Sequence, residues 1–530
     1  MRVPQTPLRA LDRAVNLFPR KAAVVCGNTR MNYVGFANRV NQLSRALASL
    51  GVVRGDRVAY LSYNCHRLLE GYFGVLQVGA ILLPLNIRLR PNDFVTILNH
   101  AGARILMVHP DFLPVIEAIR TRLETIEHYI LLEPAEGCDW PLYDDLLAAQ
   151  PQTPYPRPSI DEDDVAELFY TSGTTGRPKG VMLTHRNLYN LALQVVGALK
   201  YEEADVYLHT LPLYHANGWG APHTVTYVGA THVIIPRFRA DVVLRMVEAE
   251  RTTIAYMVPT MVIDLLNHPH LHRYDLRSMR AIVVGGSAPS PSMVREVTER
   301  LGWQFISAYG LTENSPVATF AFLRSWHDDL PLEERYRILA CAGQPMPGIE
   351  AKVVDDHGRE VPRDGRTPGE LLLRGDTVMK GYWNDPEATA EAIRDGWLHT
   401  GDIATIDEDN YITIVDRKKD IIISGGENIS SIEVENILYA HPDVLECAVI
   451  AVPHDRWGER PLALVVPKGD PSKPGDLAGR LIAWCRERLP HFKAPDAVVI
   501  VESLPKTGTG KIQKSVLRNQ YRDWYATKGV

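Results

Sequence analysis

The segment YTSGTTGRPKG, residues 170–180, packs hydroxyls, glycines and an amine into one short stretch. Gly173, Gly176 and Gly180 let a backbone bend and come close to a ligand. Thr171, Ser172, Thr174 and Thr175 add hydroxyl donors, and Lys179 adds a positive charge. The combination is a phosphate cradle. It is not the GxxxxGK[ST] loop, because Pro178 stands five residues after Gly173 and Gly180 follows Lys179. A second cationic turn, TGTGK at residues 507–511, can carry the point charge of Lys511 into a pocket. Taken singly, Glu313 in YGLTE reads as a helix cap or solvated carboxylate, and Asp402 in HTGD as an Asx turn.

These residues need a frame. The first half of the chain alternates helix-period stretches with short apolar runs, the pattern of parallel strands joined by crossover helices. Val40, Leu43, Leu47 and Leu50 repeat at helical spacing before Gly51, a C-cap, and residues 58–61 then read as a buried strand. Further strands are expected at 105–108, 231–236, 254–258, 281–284 and 304–308. The cradle is placed between the apolar residues 165–169 and a helix beginning near Arg186, as a strand-to-helix loop. From about residue 345, shorter strands (370–374, 411–415) alternate with Gly, Pro and Asp turns, the texture of an added β subdomain.

At 530 residues the chain is too long for one ordinary core. With 45% hydrophobic and 23% charged residues it is globular rather than disordered or fibrous. A net charge of −6 offers no diffuse basic field, so nucleic acid is not an expected partner. Residues 1–416 carry −9 and the remainder +3, which suits a small domain closing over an anionic ligand on a large one. The six cysteines form no CxxC pair and read as reduced packing residues. No apolar h-region opens the chain and no run of 18 apolar residues occurs, so a cytoplasmic protein without stable membrane insertion is expected.

The cradle resembles that of the adenylate-forming superfamily of acyl-CoA synthetases, luciferases and peptide-synthetase adenylation domains. In order, the chain also carries LPLYHANGW (211–219), GGSAPS (285–290), YGLTE (309–313), HTGD (399–402), DRKKD (416–420), SGGENIS (424–430) and PKTGTGK (505–511). The resemblance implies an α/β fold: a large N-terminal domain over 1–418, built of βα subdomains plus a β subdomain, and a small mobile α+β lid over 419–530 hinged near Lys419. It implies ATP, Mg²⁺ and coenzyme A as ligands. Thr171 and Glu313 match the metal-holding positions, an oxygen pair that suits Mg²⁺. Gly285, Gly286, Ser287 and Ala288, with Tyr309, match the adenine site, and Gly310 and Thr312 lie in the same nucleotide segment. Asp402 matches the ribose carboxylate, Arg417 and Lys419 match positions near ribose and phosphates, and Lys511 matches the catalytic lysine that contacts carboxylate and α-phosphate. Gly425 and Gly426 match the pantetheine channel. Ile423 departs from relatives, luciferases included, that carry Lys there.

The acid side is expected at Tyr214, His215 and Trp219. Amino-acid adenylation domains place an amine-binding Asp where this chain has His215, so an amino acid is disfavoured. Trp219 matches an indole that gates acyl tunnels, and residues 256–263 can line a hydrocarbon pocket. Residues 330–345 and SGGENISS resemble the fatty-acyl and methylmercaptopropionyl-CoA ligase branch. The implied substrate is a short to medium, extending to long, aliphatic carboxylic acid. Alternatives are a fatty-acyl-AMP ligase loading a carrier protein and a non-catalytic nucleotide or acyl binder. A homodimer is the expected assembly.

Overall fold

The computed structural model describes residues 3–172, 178–469, 471–472, 475–506 and 512–528. Two large sheets dominate its first 345 residues. The nine-stranded sheet runs Gln344–Pro345, Thr319–Phe320, Gln304–Tyr309, Ala281–Val284, Ile254–Met257, Val206–His209, Thr231–Ile234, Ala22–Cys26, Thr29–Asn32. The six strands from Gln304–Tyr309 to Ala22–Cys26 are mutually parallel. The seven-stranded sheet runs Gly381–Tyr382, Pro178–Thr184, Val165–Ser172, Ile81–Pro84, Arg57–Leu61, Ala103–Val108, His128–Leu131. The expected strands all form, with ends displaced by one or two residues.

Local sequence explains why the joining helices start where they do. Asn32 caps Tyr33–Ser49 by accepting from the Gly35 N–H at 2.8 Å, and Gly51, at φ +79, leaves that helix in the left-handed region open to glycine. Thr184 and Asn187 form a reciprocal capping box at the head of His185–Leu199. The helix His66–Gln77 is buried on every face except at Arg67, because it lies within the apolar core shared by the two sheets.

A five-stranded antiparallel unit follows, with Ile349–Val354, Gly369–Gly375, Trp397–Ile406, Ile393–Arg394 and Ile412–Arg417. The last sheet, with Glu427–Ile429, Ile422–Ser424, Gly458–Pro467, Val444–His454 and Ala497–Ile500, has apolar cores of its own. The architecture is thus a large N-terminal α/β domain with an added β unit and a smaller C-terminal β/α domain. No helix of the described residues is long and apolar enough to cross a membrane.

One expectation is corrected. The cradle is not followed directly by a helix: the strands on its two sides, Val165–Ser172 and Pro178–Thr184, are antiparallel partners, with Thr171 opposite Lys179. The apolar run 181–183 belongs to a second strand, and the helix begins only at His185.

Candidate active site

This strand pair brings Thr171 and Lys179 to one end of the seven-stranded sheet, beside the edge strand Gly381–Tyr382. Gly180 is needed there: a Cβ would meet the Tyr170 ring at 3.0 Å and Trp383 at 3.1 Å. The Lys179 ammonium lies 4.9 Å from the centroid of the Tyr382 ring. The Tyr382 hydroxyl donates to Oε1 of Glu313 at 2.9 Å, while the Met379 N–H bonds the Glu313 carbonyl at 2.8 Å. Burial, then the Glu313 carboxylate, pushes the Tyr382 phenol far up, so it stays a neutral donor. Among the described residues, the hydrogen bond to the Glu313 carboxylate falls on Oε1. A carboxylate linked through Tyr382 to the Lys179 strand is the kind of hard oxygen donor that suits Mg²⁺ held mainly by phosphates. Gly173, Thr174, Thr175 and Gly176, and the side chain of Ser172, lie outside the described residues.

A second group forms where the β unit meets the nine-stranded sheet. Asp402 is buried, accepts from the Tyr309 hydroxyl at 2.6 Å, and pairs with Nε of Arg417 at 3.0 Å. Asp402 holds Arg417 above its ordinary value, with burial opposing, and Glu313 also contributes, which makes the two groups electrostatic neighbours. A carboxylate has about four lone-pair directions, so Asp402 can accept from a diol while keeping both protein partners. Tyr309, at the end of the strand Gln304–Tyr309, is thus tied to Asp402 of the β unit through its hydroxyl. Gly286, Ser287 and Ala288 are exposed, as is Gly310, whereas Thr312 is buried.

Gly285 is closely hemmed: a Cβ would stand 2.6 Å from the Ala308 carbonyl and 2.9 Å from the Trp219 indole. Trp219 is 8% exposed and tilts against Tyr256 at 6.0 Å. It stands in an unusual turn, residues 216–220, in which every φ is positive: 43, 43, 55, 64 and 82. The three non-glycine residues there cost about 1–2 kcal/mol each in the left-handed region. Tyr214 is buried, which pushes its phenol up to about 12 against the opposing charge of Arg88. His215 is exposed.

The model of the AMP-binding enzyme family matches residues 11–383, and that of the AMP-binding enzyme C-terminal domain matches residues 433–511. The chain belongs to the AMP-binding enzyme family. It is 39% identical over 523 residues to a long-chain-fatty-acid–CoA ligase of Thermus thermophilus, covering 97% of this chain and 95% of the relative. A 3-methylmercaptopropionyl-CoA ligase of Ruegeria pomeroyi is 38% identical, covering 94% and 93%. Among solved structures, the anthranilate CoA ligase AuaEII in complex with anthranoyl-AMP superposes with a TM-score of 0.91 at 30% identity, over 99% of both chains.

In this AMP-binding enzyme Lys511 lies outside the described residues, but its flanks are placed. Lys506 and Ile512 pair in an antiparallel bridge, and the Lys506 ammonium reaches Glu446 at 2.5 Å. Asp264, on the helix Pro259–Leu266 of the large domain, is raised by burial and feels Lys506 and Glu446 of the small one. Lys506, just before residues 507–511, is therefore an electrostatic neighbour of the large domain through Asp264. Gly425 and Gly426 are exposed, at φ +59 and +89, and a Cβ on Gly425 would lie 2.9 Å from the Trp457 ring. Lys419 is exposed in the short link between Ile412–Arg417 and Ile422–Ser424.

Three residues escaped the sequence reading. Tyr382, the common partner of Lys179 and Glu313, gives no sequence signal, since Tyr beside Trp in a turn-rich stretch is ordinary. Trp457 is 41% exposed with Arg456 over its ring at 4.7 Å, and only the fold brings it to Gly425. Glu167 did leave a signal: a lone carboxylate inside the buried strand AELFY.

Proposed function

We propose that the chain is an ATP-dependent acid–thiol ligase joining an aliphatic carboxylic acid to coenzyme A, with AMP and pyrophosphate released. The single observation that carries the acid assignment is the buried Trp219 against Tyr256, with no carboxylate at position 215 to hold an amine. An apolar wall discriminates weakly between chain lengths, about 0.8 kcal/mol per methylene, so a range of acids is expected to react.

In this reading Asp402 receives the ribose, Tyr309 and the exposed strip from Gly286 to Ala288 border the base, and Thr171, Ser172, Thr174, Thr175 and Lys179 meet the phosphates. Glu313 and Thr171 would hold Mg²⁺, which supplies charge neutralisation on the leaving pyrophosphate. The acid's carboxylate oxygen attacks the α-phosphorus, the bond to the β-phosphate oxygen breaks, and Lys511 stabilises the charge that develops. The thiol then attacks the acyl carbon, AMP departs with its bonding electrons, and the thiol proton passes to solvent.

The second attack needs another direction of approach and Lys511 withdrawn. A hinge at Lys419 is supported by the chain there, since one sheet ends at Arg417 and the next begins at Ile422. Gly425 and Gly426 would then border the pantetheine arm, with Trp457 beside them offering a flat surface. A cytosolic setting fits six cysteines that all stand unpaired. The expected homodimer is open to light scattering.

The test is a carboxylate panel from acetate to palmitate, scored for acid-dependent exchange of labelled pyrophosphate into ATP and for thioester formation, ranked by kcat/KM. Exchange without thioester removes CoA as acceptor; ATP binding with no exchange on any acid removes the enzyme reading. Lys511→Ala should depress exchange by about a hundredfold or more while leaving thioester formation from supplied acyl-AMP.

A further inference from the structure

Glu167 is the third residue of the strand Val165–Ser172, opposite Leu183 on one side and Leu82 on the other, and is fully buried. A carboxylate removed from water must be hydrogen-bonded where it stands. Its two oxygens are taken separately: Oε2 accepts from Asn217 Nδ2 at 2.8 Å, and Oε1 faces His223 Nε2 at 2.7 Å. Both partners are buried, at 0% and 1% exposure. The carboxylate therefore holds His223 as the Nε2–H tautomer, and His223 Nδ1 has no hydrogen-bond partner among the described residues. Asn217 in turn accepts from the Gly220 N–H at 2.5 Å, closing the left-handed turn 216–220 on itself.

That turn carries Trp219, whose indole abuts Gly285 and Tyr256. A run of non-glycine residues at positive φ persists only where the surroundings over-determine it. Here the over-determination comes from a clamp at both ends, Asn217 inside the turn and His223 one helical turn beyond Trp219. We propose that Glu167 is a positioning residue for acid specificity: through Asn217 and His223 it holds the 216–220 turn and so sets where the Trp219 indole stands in the acid pocket. The clamp also joins the two halves of the site, because Glu167 shares its strand with Thr171 whereas the turn belongs to the acid side. The inference rests on the acyl-ligase reading.

The experiment uses the full-length enzyme, with Glu167→Ala, Glu167→Gln and Asn217→Ala scored on the acid panel, the ATP KM and thermal unfolding. Glu167→Ala is expected to lower kcat/KM for the preferred acid by about tenfold and to flatten the chain-length ranking, with the ATP KM unchanged. Glu167→Gln should keep the ranking: the Gln oxygen accepts from Asn217 and its amide donates to His223 Nε2 once the ring carries its proton on Nδ1. An emission change in Glu167→Ala should vanish in a Trp219→Phe background, which isolates this indole from the other eight tryptophans of the chain. A folded Glu167→Ala with the wild-type ranking and emission overturns the proposal, as does an equal loss toward ATP and acid. If Glu167→Ala does not fold, Asn217→Ala must flatten the ranking by itself, and a wild-type ranking there also overturns it. Absence of thioester from any acid in the wild-type enzyme would instead defeat the ligase reading, which keeps the two failures apart.

Discussion

Replacing Tyr382 separates two interactions that one side chain makes. Its hydroxyl donates to Glu313 at 2.9 Å, and its ring lies under the Lys179 ammonium at 4.9 Å. A hydrogen bond to a carboxylate is worth about 1.5–3 kcal/mol, and a cation over an aromatic face about 0.5–2 kcal/mol. Tyr382→Phe removes the first and keeps the second. Because Tyr382 is half-buried and water can replace part of the lost bond, roughly 1 kcal/mol should reach the metal site, a rise of about three- to tenfold in the Mg²⁺ needed for half-maximal rate. Tyr382→Leu loses both interactions and should add a rise of similar size in the ATP KM. The assay is acid-dependent pyrophosphate exchange, titrated first in Mg²⁺ at fixed ATP and then in ATP at saturating Mg²⁺. An unaltered Mg²⁺ requirement in a folded Tyr382→Phe, or identical behaviour of the two variants, would refute the reasoning.

Other outcomes follow from single contacts. Gly425→Ala places a side chain at φ +59 and 2.9 Å from Trp457, so thioester formation should fall about tenfold with pyrophosphate exchange retained, measured as separate half-reactions. Gly285→Ala drives a Cβ against the Ala308 carbonyl and the Trp219 ring, and should impair both nucleotide and acid binding, read as parallel rises in their KM values. Acid should destabilise the fold early. Burial holds His66 and His185 near 4 and His209 near 3, whereas unfolded imidazoles protonate near 6.5. The unfolded chain then binds the extra protons, so stability declines as pH drops from about 6.5 toward 4, by at most about 2 kcal/mol per ring at pH 5. Unfolding midpoints that stay flat from pH 7.5 to 5 would contradict this.

The cradle was legible in the sequence as a local string of hydroxyls, glycines and an amine, the residue types a phosphate calls for, whereas Asp402 and Glu313 drew their expected roles only from the family resemblance. Strand runs such as 281–284 were equally legible, since burial on both faces of a parallel sheet demands uninterrupted apolar residues. What the sequence did not reveal depends on meetings between distant segments. The second strand beside the cradle forms because Pro178–Thr184 finds Val165–Ser172 as partner, a pairing not legible from the helix signal just beyond it. Tyr382 is 69 positions from Glu313, and Glu167 is 50 from Asn217 and 56 from His223. Sequence alone thus determined which chemical groups this chain brings and the strands and helices that carry them. Tertiary structure decided which groups touch, because sheet register and the packing of helices between sheets, rather than spacing along the chain, set the distances over which a hydrogen bond can form.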